Sequence, residues 1–115
     1  MLRKKRSRGI AKGRAPALLF AALGDETRLL LVAKLSAGEP RSISQLTEGS
    51  RLTRQAITKH LRVLEKVEIV RSVRAGRESL YALDPQPMEE MKKYLERVSE
   101  QWDAALGRLK TLVER

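Results

Sequence analysis

The chain has 115 residues, room for one compact domain with a modest core but not for two. Lys and Arg outnumber Asp and Glu by 24 to 14, and the net charge of +10 favours polyanionic partners, with nucleic acid, ribosomal or anionic-membrane contact all compatible with charge alone. Cysteine is absent, which excludes disulfides, thiolate metal sites and a cysteine nucleophile.

Residues 1–14 read as a basic disordered arm. The first fifteen residues hold Arg3, Lys4, Lys5, Arg6, Arg8, Lys12 and Arg14 and no acid, with too little apolar surface to offset the entropy of ordering. Such an arm can lie along phosphates, enter a minor groove or simply stay solvated. It runs into the apolar stretch Ala15 to Leu23 and so imitates a secretory signal, but no small-residue cleavage site sets that stretch apart. The apolar pattern resumes directly after Gly24-Asp25, and no window is long enough to span a bilayer.

The run from Pro16 to Leu23 therefore predicts a first helix closed by Gly24 as a left-handed cap, with Asp25 capping a second helix. That second helix carries Leu29, Leu30, Leu31, Val32, Ala33 and Leu35 with almost no polar side, the pattern of a helix surrounded by protein at the centre of the core. Gly38-Glu39-Pro40 breaks it. Ser42-Ile43-Ser44-Gln45 has capping-box spacing and opens a short third helix around Leu46, with Gly49 as its stop.

Thr53 is placed to cap a fourth helix, Arg54 to Leu64 and beyond. Ile57, Leu61 and Leu64 recur at i, i+4, i+7 and point inward, which sends Gln55, Lys59, Arg62 and Lys66 outward with Thr58 beside them. Gln pairs bidentately with adenine, Lys reaches the guanine acceptors, and a Thr methyl meets the thymine methyl, so this face suits a major groove. A solvated amphipathic helix has the same pattern, but a short helix, a tight turn and this helix together form a helix-turn-helix. Ile69 to Arg74 and Glu78 to Leu83 are β-prone runs joined by Ala75-Gly76-Arg77, a hairpin wing with Arg74 and Arg77 flanking its tip, placed for phosphates or a minor groove. The candidate DNA-binding set is thus Thr53, Arg54, Gln55, Thr58, Lys59, His60, Arg62, Arg74 and Arg77, with His60 nearer the core edge of its helix, suited to packing or a phosphate contact.

After the cap-and-proline pair Asp84-Pro85, a last helix carries Met88, Met91, Leu95, Val98, Trp102, Ala105, Leu109 and Leu112 at alternating three- and four-residue spacing. About 27 helical residues would extend roughly 40 Å, more than so small a domain covers, so part of the seam calls for a second copy of the chain. A membrane-surface helix fits less well, because the polar faces mix Glu with Lys and Arg. The expected class is mainly α with a small β-hairpin, a winged helix-turn-helix in the order α-α-α-α-β-β-α. The arm at 1–14 would be followed by a DNA-binding domain at 15–84 and a dimerisation helix at 85–115. No catalytic His–acid pair, Gly-rich phosphate loop or metal cluster is evident, so neither an enzyme nor a cofactor is expected. A winged-helix protein-interaction module and a non-specific nucleic-acid binder are the competing readings.

Ala22 to Arg28, Thr53 to Glu65 and Leu83-Asp84-Pro85, in that order, resemble the arsenical-resistance-repressor (ArsR) family over roughly Ala15 to Glu114. The resemblance implies a bacterial, cytoplasmic, nucleoid-associated homodimer that binds operator DNA and represses its own or a neighbouring operon until an effector binds. It also implies that the first and last helices build the dimer, here through Leu18, Leu19, Leu23, Met91, Leu95, Val98, Trp102 and Leu109. The family's metal sensors carry cysteines on the third helix, or Asp, His and Glu on the last, and this sequence has neither set; His60 is its only histidine. It resembles the metal-independent members with a Trp in the last helix, which respond to organic ligands, to partners or to nothing known, so an unknown small-molecule effector stays open. Glu68 stands where the family commonly has the Gly that ends the recognition helix, and a φ above zero there would cost about 1 kcal/mol.

Overall fold

The computed structural model describes residues 16–115; the basic arm expected at 1–14 lies outside them. Helix α1, described from 16 to 23, turns at Gly24 into α2 (Glu26–Ser36). Gly24 is not among the positive-φ residues, so the left-handed cap expected there is not formed. Space favours the glycine instead, since a Cβ would sit 3.3 Å from the Ala21 carbonyl oxygen, a tight contact. Asp25 caps α2 as expected, its carboxylate accepting from the Arg28 N–H at 3.1 Å.

Only one side of α2 is in the core. Leu31, Val32 and Leu35 are buried, whereas Leu29 and Leu30 are 52% and 58% exposed and Ala33 is exposed with them. This corrects the expectation of a helix enclosed by its own chain: an all-apolar helix announces that it is covered, not which chain covers it.

Strand β1 (Arg41–Ser42) leads into α3 (Ile43–Thr47) through the expected capping box, in which Ser42 Oγ accepts from the Gln45 N–H and Gln45 Oε1 from the Ser42 N–H. Helix α4 (Arg54–Lys66) packs on α2 and α3. Its end is a Schellman motif: the Glu68 N–H bonds the Glu65 carbonyl and the Ile69 N–H the Leu64 carbonyl, both at 2.9 Å. Glu68 takes φ 67°, the left-handed geometry the sequence made costly.

Strands β2 (Val70–Ala75) and β3 (Glu78–Leu83) form the antiparallel wing, from Val70 opposite Leu83 to Ala75 opposite Glu78. Strand β1 adds to the other edge of β3, Arg41 opposite Tyr81, giving the order β1-β3-β2. The predicted element order lacked β1, because two residues carry no periodicity. Helix α5 (Pro85–Glu114) starts on the Asp84 cap and, at 30 residues, extends about 45 Å. Its first turns close the core through Met91, while Phe20 of α1 meets Tyr94 with ring centroids 5.8 Å apart. From Ser99 onward the whole helix is exposed. Among the described residues no helix is long and apolar enough to cross a membrane.

Candidate nucleic-acid interface

The rotation of α4 is fixed from below. Ile57, Leu61 and Leu64 are fully buried against the other helices, so side chains half a turn away face solvent, and Gln55, Lys59, Arg62 and Lys66 are all exposed. Thr53 caps the helix by accepting from the Ala56 N–H at 3.1 Å, satisfying one of the first turn's otherwise unpaired donors. Gln55 and Lys59 have no hydrogen bond or ion pair among the described residues, so their polar ends are free for base edges. Thr58 donates its hydroxyl to the Arg54 carbonyl at 2.7 Å, leaving the methyl as its contact group.

Two further residues of the expected set are engaged by other helices. The Arg54 guanidinium donates to Ser44 Oγ, fastening the start of α4 to α3. His60 is half-buried, with Nδ1 3.1 Å from an Arg28 guanidinium nitrogen and 3.9 Å from Asp25 Oδ1. Arg28 could not be foreseen as a partner from sequence, since 32 residues separate it from His60. The backbone N–H of Arg28, reinforced by the charge of its guanidinium, holds the Asp25 carboxyl below the ordinary range.

The wing turns on Gly76 (φ 66°) and Arg77, a two-residue connection whose first position has positive φ as a type II′ hairpin requires. Strand alternation puts Arg74 on the same face as Ser72, and Ser72 Oγ donates to Glu65 Oε2 of α4 at 3.3 Å. That contact sets the Arg74 face of the wing toward the recognition helix, with Arg77 exposed at the tip. Arg71, exposed on the opposite face of β2, is a further cation the sequence reading did not single out. Burial, followed by the charge of Glu65, pushes the Tyr81 phenol up, with Arg62 opposing, so Tyr81 stays neutral beside the helix–wing junction.

Of the residues expected at a dimer interface, two are in the subunit's own core: Leu19 is 3% and Met91 4% exposed, and they are withdrawn from the interface. Each follows the apolar spacing of its helix, but α1 and the start of α5 are the lids of the core and use that spacing internally. Leu18, Leu95, Trp102 and Leu109 are exposed, and Leu23 and Val98 half-buried. Among the described residues no group of three or more His, Asp or Glu side chains could hold a metal ion.

A capped helix pair with an outward cationic face and an arginine-bearing hairpin beside it defines a winged helix-turn-helix protein. A helix-turn-helix domain family matches residues 23–73. The HTH-type transcriptional regulator Rv2034 of Mycobacterium tuberculosis is 31% identical over 101 residues, 88% of this chain and 91% of the relative. YuzN of Bacillus subtilis, an HTH-type transcriptional regulator, is 36% identical over 81 residues, 65% of this chain and 88% of its own. An ArsR-like transcriptional regulator from Rhodococcus sp. RHA1 is similar in structure with a TM-score of 0.69 at 36% identity, over 84% of this chain and 91% of that one. The chain belongs to the ArsR family of winged helix-turn-helix transcriptional regulators, and it is a regulator rather than an enzyme.

Proposed function

We propose that the protein is a sequence-specific duplex-DNA-binding repressor that acts as a homodimer in the bacterial cytoplasm, at the nucleoid, on its own or a neighbouring operon. The observation that carries this reading is the outer face of α4, where Gln55 and Lys59 stand exposed and unengaged among the described residues, with Arg62 beside them. Groups of this chemistry read adenine and guanine edges in a major groove, and the wing arginines Arg74 and Arg77 supply sequence-independent phosphate contacts that hold the register. Leu18, Leu23, Leu95, Val98, Trp102 and Leu109 form the dimer contact, which sets two recognition helices one duplex turn apart, about 34 Å. Where an effector relieves repression, a small molecule suits this chain better than a metal, because the described residues offer no ligand cluster.

Selection of bound duplexes from random DNA tests the reading. It should enrich two inverted half-sites about 10 base pairs apart. Transcription in vitro from a promoter holding the enriched site should fall as protein is added. Uniform recovery of all sequences would reduce the protein to a non-specific binder, and a rise in transcription would make it an activator.

A further inference from the structure

Arg28 lies on α2, outside the α3–α4 pair, yet its guanidinium ties α1 to α4. Its Nε donates to the Ala22 carbonyl at the end of α1, its backbone N–H to the Asp25 cap of α2, and a terminal nitrogen to His60 Nδ1 in the middle of α4. Arginine is always protonated and only donates, so the contact needs His60 Nδ1 as a bare acceptor and leaves the proton of the neutral ring on Nε2. His60 follows Lys59 directly on α4, so a clamp at His60 governs how far α4 can rotate or slide under the groove-facing residues.

We propose that Arg28 is a positioning residue for DNA recognition: by holding the Nε2–H tautomer of His60, it locks the recognition helix to the α1–α2 corner in the rotation that presents Gln55 and Lys59. The clamp rests on the reading of α4 as a DNA-recognition helix. It predicts that Arg28 and His60 act as one unit. A purely structural Arg28, needed only to cap α1 through Ala22, would act independently of His60.

The test is a double-mutant cycle on operator discrimination, the ratio of affinities for the selected duplex and a scrambled one, with Arg28→Ala, His60→Ala and the double variant. Each single change should lower discrimination about tenfold, and the second should add little to the first. Arg28→Lys should not restore it, because a single ammonium cannot reach both Ala22 and His60. The chain's one histidine gives a DNA-free signature: two-bond nitrogen correlations should show the Nε2–H tautomer alone in the wild type and mixed tautomers in Arg28→Ala. Should Arg28→Ala unfold, His60→Ala still decides, since it leaves the Ala22 and Asp25 bonds in place. Multiplicative losses in the cycle, or mixed tautomers in the wild type, overturn the clamp while leaving DNA binding intact. A wild type with no duplex preference overturns both.

Discussion

Glu68 is the one non-glycine residue in the described chain with positive φ, at 67°, and it occupies the position after the cap of the recognition helix. A Cβ in this conformation crowds the following carbonyl, at a cost of about 1–2 kcal/mol, and the Schellman bonds to Leu64 and Glu65 hold the residue there regardless. Glu68→Gly should therefore stabilise the protein by about 0.5–1 kcal/mol and raise Tm by a few degrees at fixed protein concentration, as measured by thermal denaturation. No gain would mean that the Glu68 side chain's own contacts match the strain. Asp25 makes a second prediction. Its folded pKa is depressed, chiefly by the Arg28 N–H, so its contribution to stability is complete above the ordinary carboxylate pKa and is lost as pH falls below about 4 through the folded value. Asp25→Asn should flatten that acid limb of the stability profile, and an unchanged limb would show that other carboxylates govern it.

The helix and the wing divide the work of binding, because base edges carry sequence information and phosphates do not. Gln55→Ala or Lys59→Ala should reduce preference for the operator, each good base contact being worth about 1–3 kcal/mol, with the fold intact. Arg74→Ala and Arg77→Ala should weaken binding to every duplex and flatten its salt dependence. Affinity titrations against matched and scrambled duplexes at several salt concentrations separate the two, and equal loss of specificity from both groups would sink the division. These faces could be read from sequence since periodicity fixes them: Ile57, Leu61 and Leu64 determine where Lys59 points, and Gly76 marks the turn. What could not be read depends on non-local partners. Arg54 and Arg62 are both exposed and look alike in sequence, but Ser44 engages the first and no side chain among the described residues hydrogen-bonds the second. Leu19 and Leu18 are adjacent leucines of which one is core and one surface, a choice made by which side of α1 meets the rest of the core. Strand β1 exists only because β3 offers it an edge.

As an assembly, the protein is expected to answer to no divalent metal, its described residues offering no ligand cluster. Zinc or nickel titrated into the protein–DNA complex should leave it intact at low micromolar concentration; stoichiometric release that survives His60→Ala would reveal a carboxylate site. The assembly itself depends on α5. Trp102 is 66% exposed on the single chain and Leu95, Leu106, Leu109 and Leu112 are exposed along the same helix, so the subunit's own core does not account for this apolar surface. On α2, Leu29 and Leu30 add exposed leucines that the core leaves uncovered. A second copy would cover what a monomer leaves in water, and a buried tryptophan typically removes 150–250 Å² from solvent, about 4–6 kcal/mol at 25 cal/mol per Å². Trp102→Ala should then cost about 3 kcal/mol or more of dimerisation free energy, a loss of two orders of magnitude in dimer affinity. Because Trp102 is exposed in the monomer, the folded subunit should keep its helical content while it dissociates. Operator affinity should fall alongside, since two linked recognition helices bind far more tightly than one. Sedimentation velocity on dilute Trp102→Ala protein reads this directly: a variant that remains fully dimeric would move the interface off distal α5, toward Leu18 and Leu23 of α1 and the exposed leucines of α2.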